Sequence, residues 1–339
     1  MGPYETVGVR DRRCCGLCVS RRRDHGYGRA GSGRSTRARS DGRSFCERSA
    51  ARAAHRVTTL GPNDGNGDVR CVRNVTTVTL PTYFISHGGG PCFDMEWPGG
   101  NPFERLRTYL EGFAAAVPER PRAILVVSAH WEAAVPSVTS APVPALIYDY
   151  TNFPRHTYAL RYDVPGSPEL AARVRDLLAA AGIASADDTK RGLDHGVFVP
   201  FRVMYPTADI PIVQLSLVAG YDPVRHLAIG RALAPLRDEG ILIVGSGMTY
   251  HNFETMFDGD PTEAERFDAW LTGAVTGDPA RRAGLLARWS EAPAARAAHP
   301  EEDHLTPLFV AAGAALEERG DRVYHDLISN KAASGYRFG

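Results

Sequence analysis

The chain has 339 residues, 43% of them hydrophobic and 23% charged, which is normal for a globular protein with a real core and enough for one large domain or two ordinary ones. Its zero formal net charge hides an asymmetry: residues 1–78 carry +9, from 16 Arg against 7 acids, and the remainder carries −9, the pattern of a basic tail attached to a folded body. No apolar run approaches the roughly 20 residues needed to cross a membrane, and the cysteines do not form a disulfide framework.

Residues 1 to about 76 are rich in Arg, Gly and Ser and poor in large aliphatic residues. Such a segment cannot offset its ordering entropy by burial, so a disordered extension is expected. The folded pattern begins abruptly near Val75 to Leu80, and the further expectation is a start codon assigned too far upstream. Five cysteines, Cys14, Cys15, Cys18, Cys46 and Cys71, lie in or beside this leader, and only Cys92 lies in the body. That distribution predicts a reducing compartment, hence a cytoplasmic protein. Cys15-x-x-Cys18 has no second pair at finger spacing and reads as accidental. The tail has no aromatic interleaving, so no nucleic-acid partner is expected, nor a membrane.

From Thr79 the organisation is α/β. Residues 82–86 read as a first strand. Asn101 and Pro102 open a helix to about Ala116. Residues 123–128, 212–217 and 241–244 are apolar throughout and read as strands buried on both faces. Ser137 to Tyr148 is expected to hold two short strands. Helices are predicted at 168–181, ended by Gly182, at 198–205, at 222–239 with Asp222 as cap, and at 261–276 and 279–290. An amphipathic helix is predicted from Asp303, the presumptive cap, to Arg319, with Gly320 as stop, and a last strand at 322–329. The alternation predicts a single three-layer α/β/α domain over residues 77–339, around a mixed, largely parallel sheet.

Three of the buried strand patterns deliver a histidine at or just past their carboxyl ends: His87 in Y-F-I-S-H-G-G-G, His130 in A-I-L-V-V-S-A-H-W and His251 in I-L-I-V-G-S-G-M-T-Y-H-N-F. Ligands of open α/β sheets bind at that edge, and imidazole is the commonest protein metal ligand. The joint pattern predicts that the three converge on one metal ion. Nitrogen donors without thiolates suit zinc, iron or copper, and three protein ligands leave positions open for chemistry. The small residues Ser86, Gly88, Ala129 and Gly247 are expected to leave room for a cofactor. His195, in G-L-D-H-G-V, lies outside the strand-end pattern. It reads as a proton donor and acceptor over the site, with a fourth ligand as the alternative. His299 and His304 line the pocket, support a ligand histidine or cap. His156 and His226 read as exposed. No P-loop, G-x-S-x-G or Cys-His nucleophile pattern occurs.

S-H-G-G-G-P (86–91), S-A-H-W (128–131), L-D-H-G-V-F-V-P (193–200), G-S-G-M-T-Y-H-N-F (245–253), H-P-E-E-D-H-L-T-P-L (299–308) and the terminal S-G-Y-R-F-G (334–339) together resemble the class III extradiol ring-cleavage dioxygenases, in particular their 4,5-DOPA extradiol dioxygenase-like branch. The resemblance covers Thr79 to Gly339. It implies a metal at His87, His130 and His251, with Fe(II) for ring cleavage and Zn(II) in the same site as the other candidate. It implies His195 as acid/base, Tyr336 and His304 as substrate contacts, and a catechol and O2 as the small-molecule partners. A homo-oligomer is compatible with it. The competing readings are a zinc hydrolase and a non-catalytic metal-binding protein on the same fold.

Overall fold

A computed structural model describes residues 78–257 and 259–339; the extension expected over residues 1–76 lies outside them. Among the described residues, eight strands form one sheet: β1 (Thr82–Ser86), β2 (Ala123–Ala133), β3 (Ser137–Thr139), β4 (Ala186–Asp188), β5 (Ile212–Val218), β6 (Ile241–Gly247), β7 (Gly320–Ile328) and β8 (Lys331–Phe338). Their order is β4-β3-β5-β2-β6-β1-β8-β7. The neighbouring pairs β5–β2, β2–β6 and β6–β1 are parallel. Every residue of β1, β5 and β6 is buried, the physical reason these segments read as continuous apolar runs. Antiparallel pairs flank this centre: β8 on β1, β7 on β8, and β3 on β5.

Helices cover both faces of the sheet. They are α1 (Glu104–Glu111), α2 (Phe113–Ala116), α3 (Pro168–Ala180), α4 (His195–Met204), α5 (Pro223–Leu233), α6 (Thr262–Thr276), α7 (Pro279–Leu286), α8 (Ala295–Ala298) and α9 (Thr306–Ala314). Adjacent β1 residues point to opposite faces. Tyr83 meets Phe113 of α2 at 4.6 Å between ring centroids, while Phe84 joins a core built with Phe267, Leu271, Leu308 and Phe309 of α6 and α9. Leu125, Val127, Val213, Leu215 and Ile243 pack on that second side against Leu170 and Val174 of α3 and Ile229 and Leu233 of α5. The three-layer arrangement of the sequence reading is the one found.

Several local expectations differ. The helix predicted over 303–319 spans only Thr306–Ala314, and all its residues are buried. Its apolar stripe is therefore one side of a core helix, and Leu316 is exposed in a left-handed conformation at φ 54°. Asp303 does not cap α9, whose start has no side-chain cap; it accepts from the His304 backbone N–H. Gly320 opens β7 rather than stopping a helix. The predicted last strand is followed by another, β8, because Ser329 and Asn330, at φ 51° and 65°, form a two-residue turn that the sequence marks without the usual glycine. Only one strand, Ser137–Thr139, forms in the 137–148 segment, and Leu146 there makes an isolated parallel bridge to Leu193. No helix among the described residues is long and apolar enough to cross a membrane.

His226, read as exposed, is fully buried. Its Nδ1–H donates to the Asp222 carbonyl (2.7 Å) and its Nε2 accepts from Val218 N–H (3.0 Å). Burial drives its pKa down to about 4. The folded state therefore holds the neutral ring while the unfolded chain, near 6.5, binds a proton first. Stability from this residue is complete above about pH 6.5 and is lost as pH falls towards 4, a change on the order of 3 kcal/mol. In denaturant titrations of metal-free protein, H226Q, whose amide offers the same donor and acceptor, should flatten that part of the pH dependence. Equal pH slopes for the two proteins would contradict the assignment.

Candidate active site

The carboxyl edge of the parallel strands gathers the histidines. His87 follows β1 and is fixed there by its N–H, which donates to the Gly247 carbonyl at 3.1 Å. His130 stands in β2 where the register with β5 shifts between Val127 and Glu132, a local bulge that re-aims the side chain. His251 lies four residues past β6, with its N–H on the Ala298 carbonyl at 2.9 Å. His195 is the first residue of α4. His304 precedes α9 and is buried. Ala129 lines the site's cavity, but the space beside Gly247 and Gly88 is taken by protein rather than left for a cofactor. A Cβ on Gly247 would fall 2.1 Å from the His304 carbonyl oxygen, and one on Gly88 would fall 2.5 Å from Cys92 Sγ.

A cavity of about 770 Å³ opens here, lined by His130, Asp149, Tyr150, His195, His251, Phe253, Asp303 and His304 among others. The potential donor atoms of His87, His130 and His195 lie within 4.8 Å of one another, and those of His251, Asp303 and His304 form a second such group. His87 Nε2 and His130 Nε2 are 3.1 Å apart. The two groups meet through His304, whose ring centroid is 3.3 Å from that of His251, 5.2 Å from His87 and 4.8 Å from His130. Of the three strand-end histidines, His87 and His130 thus meet directly, and His251 stacks on the His304 ring. Tyr336 is not brought to the cavity. It pairs with Phe84 across β1 and β8, its ring is buried in the core beside α6, and its hydroxyl shares a hydrogen bond with Thr272.

Burial, reinforced by neighbouring imidazoles, holds His87, His130 and His304 well below the ordinary histidine pKa. Burial takes His251 to about 4 against the opposing pull of Asp303. His195 behaves differently. Burial works against its charged form too, but the Asp149 carboxylate outweighs it and raises the pKa. Asp149 Oδ1 accepts from both His195 N–H (2.9 Å) and Nδ1–H (2.8 Å), and this partner holds its own carboxyl well below the usual range despite burial. The ring of His195 is thereby oriented through its Nδ1.

A buried network braces the two halves of the site. Asp194 accepts from Ser128 Oγ at 2.7 Å, from Arg191 Nη2 at 3.2 Å and from Gln214 Nε2. Ser128 Oγ accepts from His130 N–H at 3.2 Å, and Arg191 also reaches the His130 carbonyl at 3.2 Å. Both backbone groups of His130 are therefore tied to the residue preceding His195. Sequence reasoning noted Asp194 only as a neighbour of His195, and it missed Asp149 altogether.

The donors fit a metal. His87 Nε2 and His130 Nε2, 3.1 Å apart, have a spacing that two bonds of about 2.0–2.1 Å to a shared cation can span. His304 Nδ1 is a further buried nitrogen without a hydrogen bond, 3.0 Å from Asp303 Oδ2 but off the hydrogen-bonding direction.

Fold and site together define a histidine-rich, metal-dependent enzyme built on the carboxyl edge of a mixed α/β sheet. Residues 81–339 match the family described as the catalytic LigB subunit of aromatic ring-opening dioxygenase, and the chain belongs to that family. It is 42% identical over 250 residues to a 4,5-DOPA dioxygenase extradiol of Beta vulgaris, covering 72% of this chain and 90% of the relative. It is 37% identical over 244 residues to the protein of the same description from Escherichia coli strain K12, covering 71% and 87%. A crystal structure of an uncharacterized E. coli K12 protein aligns with a TM-score of 0.62 at 30% identity, over 77% of this chain and all of that one. The chain is an extradiol ring-cleaving dioxygenase acting on a small aromatic substrate and O2; the hydrolase and non-catalytic readings are not favoured.

The close approach at Gly247 gives a test. G247A must push the His304 backbone away, so it should cost about 1–3 kcal/mol in chemical denaturation and lower ring-cleavage activity. Unchanged stability and activity would contradict the packing described.

Proposed function

We propose that the enzyme opens a catechol-type ring, that of DOPA or a related compound, beside its diol, giving a muconic-semialdehyde-type product that retains both atoms of O2. In this reading His87, His130 and His251 hold Fe(II), His195 is the acid/base, and His304 faces the substrate. Tyr336 is left out because its hydroxyl is committed in the core. The observation that carries the proposal is the division among the cavity's imidazoles. His87 and His130 present Nε2 atoms to one another, whereas His195 has its Nδ1–H bound to a carboxylate and its Nε2 available.

Iron, when bound, supplies a template and Lewis acid for the catechol oxygens and the electron density that activates O2. The chain's own part begins with recognition: the catechol enters between Tyr150 and Phe253, which line the cavity. His195 Nε2 accepts a phenolic proton, and the Asp149 carboxylate stabilises the imidazolium that results. The same bond keeps the ring from rotating, so the proton returns from the same Nε2 as the oxygen–oxygen bond breaks. Substrate and O2 together supply every atom of the product, so no external reductant is required.

A second metal reading has its own support. All-nitrogen donors suit Zn(II) as well as Fe(II), and His195 lies within the same group as His87 and His130, where a carboxylate-bound imidazole would also make a good ligand. Anaerobic loading with Fe(II) or Zn(II), followed by O2 uptake with a catechol panel, separates them: uptake and yellow product with iron alone are expected, and uptake with neither metal would sink the proposal. H195A should retain iron by metal analysis and lose ring-cleavage turnover by about 10²–10⁴-fold. Near-normal turnover would remove His195 from the mechanism, and loss of iron would make it a ligand.

A further inference from the structure

Pro200 occupies the interior of α4 and is buried. Proline has no N–H, so the helix cannot satisfy the carbonyl four residues earlier, that of Gly196. An unpaired buried carbonyl is costly, and such groups nearly always find a partner. Here the partner is Ser246 on β6, whose Oγ–H donates to the Gly196 carbonyl. Gly196 permits the close passage of this turn. A Cβ there would fall 2.8 Å from both His130 Cδ2 and Ser128 Oγ.

A serine hydroxyl has one proton to give. Because Ser246 gives it to Gly196, its oxygen can only accept from its other neighbour, His87 Nδ1, at 3.1 Å. His87 must then carry its proton on Nδ1 and leave Nε2 bare, and Nε2 is the atom facing His130 Nε2. We infer that Pro200 is a positioning residue that sets the tautomer of His87 through the Gly196 carbonyl and the Ser246 hydroxyl. Reversing the hydroxyl would reverse the ring: a Ser246 proton directed at Nδ1 requires the hydrogen on Nε2, where it blocks coordination. The consequence for metal binding rests on the ligand role proposed above for His87. The tautomer itself does not.

The test uses the full-length chain with 15N-labelled histidine, metal-free at pH 7.5, where two-bond proton–nitrogen spectra distinguish the tautomers; the His87 signals are assigned from their absence in H87A. Wild type should show the Nδ1–H form. P200A restores an N–H that competes with Ser246 for the Gly196 carbonyl, weakens the hold on the Ser246 proton and should move His87 towards Nε2–H. S246A removes the hydroxyl acceptor while the backbone of residue 246 stays beside the ring, and should weaken the preference for Nδ1–H if P200A does not fold. Zinc affinity, by chelator competition, should fall about 10–100-fold in either variant. A wild-type His87 in the Nε2–H form, or a folded P200A or S246A with unchanged tautomer, overturns the relay. If the tautomer shifts as expected but H87A binds zinc like wild type, the relay stands and the ligand assignment fails instead.

Discussion

The structure depends on imidazoles being kept neutral and aimed where their rings are buried. Buried histidines this close would repel one another if protonated, and burial removes the solvent that could stabilise their charge. Burial and mutual repulsion accordingly hold His87, His130 and His304 in the neutral form. Neutral rings with inward lone pairs are what a cation needs. One ring escapes this rule because Asp149 stands behind it. The different protonation behaviour of His195 therefore follows from a single carboxylate, placed next to its ring and 3.9 Å from another, His130.

The fold supplies the aim. Parallel strands bring the carboxyl ends of β1, β2 and β6 to one edge, and the bulge in β2 carries His130 out of the ladder. Helix α4 then reaches the same edge from the opposite layer with His195 at its first turn. Its local irregularity is put to use, since the carbonyl that Pro200 leaves unpaired within the helix is the one Ser246 engages. The Asp194 network binds α4 to β2 over the same few ångströms. These contacts join segments far apart in the chain, and rigid support of this kind is what precise ligand geometry demands.

Much of this was legible because the relevant signals are local. Continuous apolar runs marked β1, β2, β5 and β6, and the strand-end rule located His87, His130 and His251. Asp149 carried no such signal: it lies in Y-D-Y within a proline-broken segment, and it reaches His195 only because Leu146 bridges Leu193 in parallel register. The stacking of His251 on His304 was equally hidden, since it is set by the Ala298 and His304 backbones rather than by β6 alone. Tyr336 misled because a tyrosine in a terminal motif invites a functional role, whereas its face is fixed by pairing with Phe84. The helix at 303–319 was overextended because an apolar stripe cannot reveal that the remaining sides are buried too.

The most direct measurement is an anomalous-difference map from crystals of the full chain loaded anaerobically with Fe(II). The account predicts one iron peak within bonding distance of His87 Nε2, His130 Nε2 and the His251 ring, with His195 still held by Asp149 and not coordinated. An iron bound elsewhere, or one reached by His195 while His87 and His130 point away, would contradict it.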